Sequence, residues 1–332
     1  MATFVTGGTG FIGSKLVGRL RQDGEIVHLL ARKTSDLTGV AGEGVEVFYG
    51  DLGDLDALRA ATAGCRRAFH LAAYARNWAP ERDTYYRVNV EGFANVATAA
   101  LEAGVERMVW TSTCLTVGPS NGHVVDESSP RLTDEFLTDY ERTKYLAEAR
   151  AAEFVARGLP VVIVNPTRVY GPGRLTEANS ATLLVQMFLR GRFPIIPGRG
   201  DEIGNYVFVD DVVEGHLAAM ARGRVGERYL LAGENASLTE FFQVLSELSG
   251  RRPPRFHVPR WLIRRYSHIE LWRARLFGSY PLITPGWMAT FLTDWAVSNR
   301  KAVTELGCTF RGLREGLAAT CDWLAKEGTR EP

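Results

Sequence analysis

The chain is short of the features that staple small extracellular folds and of those that cross membranes. Only four cysteines occur in 332 residues, Cys65, Cys114, Cys308 and Cys321, and none shares a CxxC or Cys/His spacing with another. Neither a disulfide framework nor a zinc site organises such a chain, so no metal and a reduced, cytoplasmic setting are expected. No apolar run approaches the ~18–20 residues that a spanning helix needs, so stable membrane insertion is not expected. The first strand is expected to begin at once, and no signal peptide is expected. Neither charge sign is in excess: 39 Lys+Arg against 38 Asp+Glu leaves +1. That balance gives no bulk reason to bind nucleic acid. Repeats and low-complexity tracts are missing too. What remains is a chain with ample apolar content for a core and too long for one simple domain. Two intimately joined parts are expected.

What is present begins with TGGTGFIG at 6–13. Glycine costs conformational entropy, so Gly7, Gly10 and Gly13 at this spacing ask for a reason. Between a strand and a helix the reason is phosphate. The first glycine permits the tight turn, the second lets backbone approach a pyrophosphate, and the third lets helix pack closely on strand. The helix N-terminus then offers free N–H groups to the anion. A glycine-rich turn that binds nothing has the same composition, so the context decides.

That context is an alternation of apolar runs and helical stretches. Short strands are expected at 26–30, 45–49, 67–71, 108–111 and 161–164, with helices at 54–63, 84–103 and 138–156 between them. Strands alternating with helices imply parallel βαβ units. The fold class expected is α/β, a doubly wound parallel sheet of the Rossmann kind over residues 1–170, with strands near 206–209 and 229–231 returning to it. Residues 171–330 are expected to form a smaller, mostly helical part that binds substrate. The glycine turn then lies where open α/β sheets bind ligands.

A second constellation is DYERTKYLAEA at 139–149, which sets Tyr140 and Lys144 four apart on one helix face. An ammonium beside a phenol favours phenolate and lowers the tyrosine pKa. A Tyr-x-x-x-Lys pair alone is commonplace on exposed helix faces. Thr111, Ser112 and Thr113 close the strand upstream, where a hydroxyl can face the same cleft.

Together these residues resemble the extended short-chain dehydrogenase/reductase superfamily, which includes the NAD-dependent epimerases and dehydratases. The likeness runs through TGGTGFIG, GDL at 50–52, HLAA at 70–73, YRVNVEGFANV at 86–96, WTST at 110–113, YERTK at 140–144, NPTRVYGPG at 165–173 and YVFVDDVVEGH at 206–216. A looser likeness, carried by ARNWAP at 75–80 and GERYLLAGEN at 226–235, is to its dihydroflavonol-reductase-like, hopanoid-associated and 3β-hydroxysteroid dehydrogenase branch. The resemblance implies that Tyr140 is the general acid or base, that Lys144 holds the nicotinamide ribose, and that Thr113 hydrogen-bonds the substrate oxygen. It also implies cofactor contacts from Thr6, Gly7, Gly10, Phe11, Ile12, Gly13, Asp51, Leu52, Leu71, Ala72 and Ala73. Asn89, Thr111, Pro166 and Val169 complete that set, Asn89 with a structural hydrogen bond as the equal alternative. A homodimer is the family expectation.

An NAD-specific member places an acid at the end of the second strand. Here Ala31 stands there, followed by Arg32, Lys33, Thr34 and Ser35, which suit a 2′-phosphate; NADP(H) is expected. Nucleotide-sugar members carry an arginine where this chain has Gly204, although Arg168, Arg174 or Arg255 can compensate. Trp78, Tyr85, Phe188, Trp261 and Tyr280 suggest an apolar pocket, with Trp78 as substrate contact. The function expected is reduction of a ketone, or oxidation of the alcohol, on an apolar small molecule. The alternative is a nucleotide-sugar epimerase or dehydratase that recycles its dinucleotide. A basic amphipathic stretch near 260–277 suits either a membrane surface or packing on the second part.

Overall fold

The computed structural model describes residues 2–175, 179–192, 195–281 and 283–328; positions 176–178, 193, 194, 282, 329 and 330 of the expected second part lie outside them. In chain order the elements are β1 (Ala2–Thr6), α1 (Phe11–Gln22), β2 (Ile26–Ala31), β3 (Val45–Tyr49), α2 (Leu55–Thr62), β4 (Cys65–His70), α3 (Asp83–Tyr86), α4 (Gly92–Glu102), β5 (Arg107–Thr111), α5 (Asp139–Ala156), β6 (Val161–Pro166) and β7 (Arg168–Tyr170). There follow α6 (Ser180–Leu189), β8 (Ile195–Pro197), β9 (Ile203–Phe208), α7 (Val209–Arg222), β10 (Arg228–Leu231), β11 (Glu234–Ser237), α8 (Leu238–Ser249), β12 (Phe256–Val258), α9 (Arg260–Phe277), α10 (Pro285–Phe291), α11 (Arg300–Leu306) and α12 (Leu313–Gly328).

Seven parallel strands form the central sheet in the order β10-β6-β5-β4-β1-β2-β3. Its inner strands are short runs of Val, Ile, Phe and Met because both faces are covered. Successive residues alternate between two cores. Val5, Val109, Val162 and Val164 join Leu16, Val17 and Leu20 of α1 and Val212 and Ala219 of α7. Phe4, Met108, Trp110, Val161 and Ile163 join Leu58 of α2, Phe93 and Val96 of α4 and Ala147 and Phe154 of α5. The strand order reverses between β1 and β4, the switch point where such sheets bind ligands.

One expected strand behaves differently. β10 joins the sheet beside β6, whereas β9, which takes up 206–208 of the expected run 206–209 while Val209 opens α7, does not return to it. It pairs with β7 and β11 in a separate three-stranded sheet. Its side chains explain why: Tyr206 and Phe208 are buried with Phe188, Phe241 and Phe242 in a third core that belongs to the C-terminal helices. That region is tied to α1 by Lys15 and Asp210, 2.8 Å apart. The helix expected at 84–103 is interrupted by a π-helical turn at Arg87–Glu91.

Candidate active site

The glycine turn connects β1 to α1 at the switch point. Gly7 adopts φ +72°, and a Cβ there would stand 2.5 Å from the backbone nitrogen of Ala72. A Cβ on Gly13 would fall onto the Gly7 carbonyl, so only glycine lets α1 lie this close. Gly10 caps α1 without any side-chain hydrogen bond, leaving the first N–H groups of the helix for an anion. Thr6 fastens the two strands flanking the switch point: its hydroxyl is 2.6 Å from Nδ1 of His70 and accepts a bond from the Ala72 N–H. Leu71, Ala72 and Ala73 line that crossing, half-buried. Phe11 is buried and Ile12 packs on the core, so the turn is fixed from below. This cradle fits a dinucleotide pyrophosphate.

At the end of β2, Ala31 is buried while Arg32, Lys33 and Thr34 are exposed, and Ser35 closes a tight turn by accepting the Arg32 N–H. Asp36 is the first acid after β2, and it is engaged by Arg174 at 3.2 Å. Arg174 also donates to the carbonyls of Thr9 and Thr38, so it bridges the glycine turn and the basic loop. The only trace of this role in the sequence is an arginine after a Gly-Pro-Gly turn. Asp51 is exposed, and its carboxylate accepts the Gly53 N–H, while Leu52 packs against Gly92 of α4.

α5 supplies the chemistry. Thr138 caps it by accepting the Glu141 N–H, which sets Tyr140 and Lys144 in its first turns, facing the end of β5. The Tyr140 phenol lies beside the Thr113 side chain, and its burial raises the pKa above the ordinary value of 10.0 while Thr113 works the other way. Lys144 is 1% exposed. Its Nζ donates to the Thr111 carbonyl at 2.6 Å and lies 4.5 Å from the Trp110 ring centroid. Burial pulls this lysine down to about 7, with the Glu148 charge working the other way. Ser112 is turned away from this pair: its hydroxyl donates to Glu148 at 2.6 Å.

Two expected cofactor contacts are otherwise engaged. Asn89, placed by the π-helical turn, accepts the Tyr74 N–H and donates both amide hydrogens to the Tyr74 carbonyl and Thr143. It is a brace between the loop after β4 and α5, with no donor left for a ligand. The Thr111 hydroxyl is 2.8 Å from Nε2 of His216. Pro166 ends β6 and is buried; Val169 in β7 is half-buried beside it.

Sequence reasoning missed the acceptor beneath the site. Glu148 lies one helical turn beyond Lys144, and its Oε1 accepts from Ser112, Thr116 and Asn165 at 2.6–2.8 Å. Asn165 also donates to the Thr113 carbonyl, so this network holds the backbone of the hydroxyl-bearing strand end. Its only sequence signal was a glutamate four residues after the lysine.

The mouth of the cleft is built from the loop after β4 and from α10. Arg82 pairs with Asp139 beside Tyr140, and Gly286 of α10 lies against the Leu137 carbonyl. Trp78 meets Tyr280 edge-on at 5.9 Å. Three other expected pocket aromatics are elsewhere. Tyr85 is buried with its hydroxyl on the Arg76 carbonyl, Phe188 belongs to the third core, and Trp261 is 64% exposed on α9. A Cβ on Gly204 would collide with the Arg168 guanidinium, which occupies that space. Arg168 stacks over Phe291 at 4.6 Å and donates to the Tyr206 hydroxyl and the Thr290 carbonyl.

Comparison with known proteins follows this geometry. The profile of the NAD dependent epimerase/dehydratase family matches residues 3–232. The chain is 37% identical over 333 residues to sterol demethylase protein B of Methylococcus capsulatus, covering 99% of each. It is 31% identical over 278 residues to 4-hydroxy-2-methyl-3-oxo-4-farnesyl-3,4-dihydroquinoline-1-oxide ketoreductase of Stigmatella aurantiaca, covering 82% of this chain and 81% of that one. The crystal structure of gox2253 superposes with a TM-score of 0.84 at 34% identity, covering 99% of both chains.

Proposed function

The chain belongs to the NAD-dependent epimerase/dehydratase family, and from that premise we propose that it is an NADP(H)-dependent oxidoreductase reducing a ketone, or oxidising the secondary alcohol, of an apolar, non-nucleotide substrate. The observation that carries this reading is the buried Tyr140 phenol beside Thr113, with the Lys144 amine buried one helical turn away on the Thr111 carbonyl.

In this reading the glycine turn binds the pyrophosphate, Arg32 and Lys33 the 2′-phosphate, and Asp51 and Leu52 flank the adenine. Leu71, Ala72 and Ala73 lie along the adenosine and pyrophosphate, and backbone at Pro166 and Val169 receives the carboxamide. When bound, the dinucleotide supplies hydride to the carbonyl carbon. Burial keeps Tyr140 protonated at neutral pH, so its hydroxyl can deliver a proton to the carbonyl oxygen. Thr113 donates a hydrogen bond to the same oxygen and so fixes its position. Lys144 offsets the negative charge left on the phenolate and binds the nicotinamide ribose.

The apolar substrate is supported by two things. Arg168, the arginine beside Gly204, is committed to Tyr206, Thr290 and Phe291 rather than held open as a diphosphate clamp. Two relatives carry names with a sterol and a farnesylated ketone. The test is NADPH oxidation by the purified protein against bulky apolar ketones and nucleotide sugars. Ketone-dependent oxidation is expected, and Tyr140→Phe should slow it by about 10²–10⁴-fold with NADPH affinity unchanged. Conversion of a nucleotide sugar without net NADPH oxidation would replace this reading with the epimerase.

A further inference from the structure

α9 buries one narrow stripe, Ile263, Ser267, Glu270 and Ala274, at helical spacing. At about 100° per residue, the side away from that stripe carries Trp261, Leu262, Ile269, Trp272 and Leu276, and Tyr266 and Phe277 continue this arc toward one edge of the stripe. All of these are exposed, Trp272 at 63% and Phe277 at 74%, and Phe256 just upstream at 69%. A row of large apolar side chains this continuous is unusual on a surface facing only water.

The charge around it is one-sided. Residues 251–277 hold eight arginines and a single acid, Glu270, while the whole chain is near neutral. Glu270 is buried and paired with Arg273. Arg260 pairs with Glu202, whereas Arg264, Arg265 and Arg275 have no ion pair among the described residues. Arg264 and Arg275 flank the apolar arc and Arg265 lies within it, with Trp261 and Trp272 at its border. Cations beside exposed indoles and aliphatics match the headgroup and upper acyl layers of an anionic bilayer. The helix is too polar to span: among the described residues no helix is long and apolar enough to cross a membrane.

Position joins this face to the cleft. The chain leaving α9 brings Tyr280 onto Trp78, with its hydroxyl accepting the Asn77 N–H at 3.2 Å, and Thr284, the cap of α10, donates to the Asn77 carbonyl. We propose that α9 lies flat on an anionic lipid surface, so that the cleft mouth at Trp78 and Tyr280 opens at the interface and receives a bilayer-dissolved carbonyl compound. The choice of substrate source rests on the oxidoreductase reading above; the docking itself does not.

The experiment is flotation of the full chain with vesicles of equal parts phosphatidylcholine and phosphatidylglycerol, against phosphatidylcholine alone. Co-flotation is expected with the anionic vesicles, weakened by added salt and about tenfold weaker with neutral ones. The triple variants Ile269→Ser/Trp272→Ser/Phe277→Ser and Arg264→Glu/Arg265→Glu/Arg275→Glu should each reduce it about tenfold. Both should keep turnover of a water-soluble ketone, because none of these residues lines the cleft. Wild-type protein that stays with the buffer overturns the proposal, as does flotation unchanged by both variants. A dimer in sedimentation velocity that the serine variant dissociates, without flotation, would also overturn it and assign the face to a second copy. Flotation needs no turnover, so an inactive protein that floats rejects only the oxidoreductase reading.

Discussion

Lys144 is where chemistry and stability conflict. An ammonium at 1% exposure with one carbonyl partner and a ring face is held against the cost of desolvation. Its pKa falls from 10.5 to about 7. Between those values the unfolded chain binds more protons than the folded one. This lysine therefore makes stability rise with pH across that window, and its penalty is full below about pH 7. Lys144→Met should raise the stability of the cofactor-free protein at pH 6 by about 1–2 kcal/mol, less at pH 10, and abolish turnover. Thermal unfolding at the two pH values checks it; a variant less stable than wild type at pH 6 would mean that the Thr111 bond outweighs burial. Tyr140 and Lys144 were legible because their spacing of four repeats the helix. The partners of Glu148 were not, because they arrive from 36, 32 and 17 residues away and no local pattern records such distances.

Among elements, strands buried on both faces announced themselves as unbroken apolar runs, and the glycine turn announced the first crossover. The destination of β9 did not show, since the run YVFV suits either sheet and only the cores it meets decide. The exposed face of α9 was equally hidden: its apolar residues have core-like spacing, and the sequence does not say which arc is covered. The π-helical turn at Arg87–Glu91 also left no local trace, yet it aims Asn89 at Tyr74 and Thr143 instead of at a ligand. The turn after β2 carries a sharper expectation. With Asp36 held by Arg174, Arg32 faces solvent and has no ion pair of its own among the described residues. Arg32→Ala should weaken NADPH binding about tenfold, the worth of one charge-assisted bond, and NADH binding much less. Fluorescence titration with both dinucleotides measures this, and equal losses would remove the 2′-phosphate from the assignment.

At the scale of the molecule, two histidines buried on either side of the sheet bind its layers together and set its acid limit. His70 ends β4 against Thr6 and the Phe93 ring, and burial beside Lys144 pushes it down to about 3. His216 in α7 is pulled down to about 4 by burial. The Val212 carbonyl, 2.7 Å from Nδ1, can only accept, so Nδ1 carries the proton and Nε2 accepts from Thr111. Protonating Nε2 would force the Thr111 hydroxyl to turn and accept, and would bury an unpaired charge between α7 and the strand that holds Lys144. A folded pKa below the unfolded 6.5 means that the unfolded chain takes up more protons as pH falls from 6.5 toward 4, so stability is lost across that window. For His216 the loss is on the order of 3 kcal/mol. Buried carboxyls such as Glu141 and Asp211, raised by desolvation, act with the opposite sign, so the total slope does not isolate the histidine. The difference from His216→Gln does, because glutamine can donate to Val212 and accept from Thr111 without titrating. Denaturant unfolding from pH 7 to pH 4 should show wild type losing stability relative to this variant below pH 6.5. Parallel curves would mean that the folded ring takes up its proton as readily as the unfolded one and that burial does not hold it neutral.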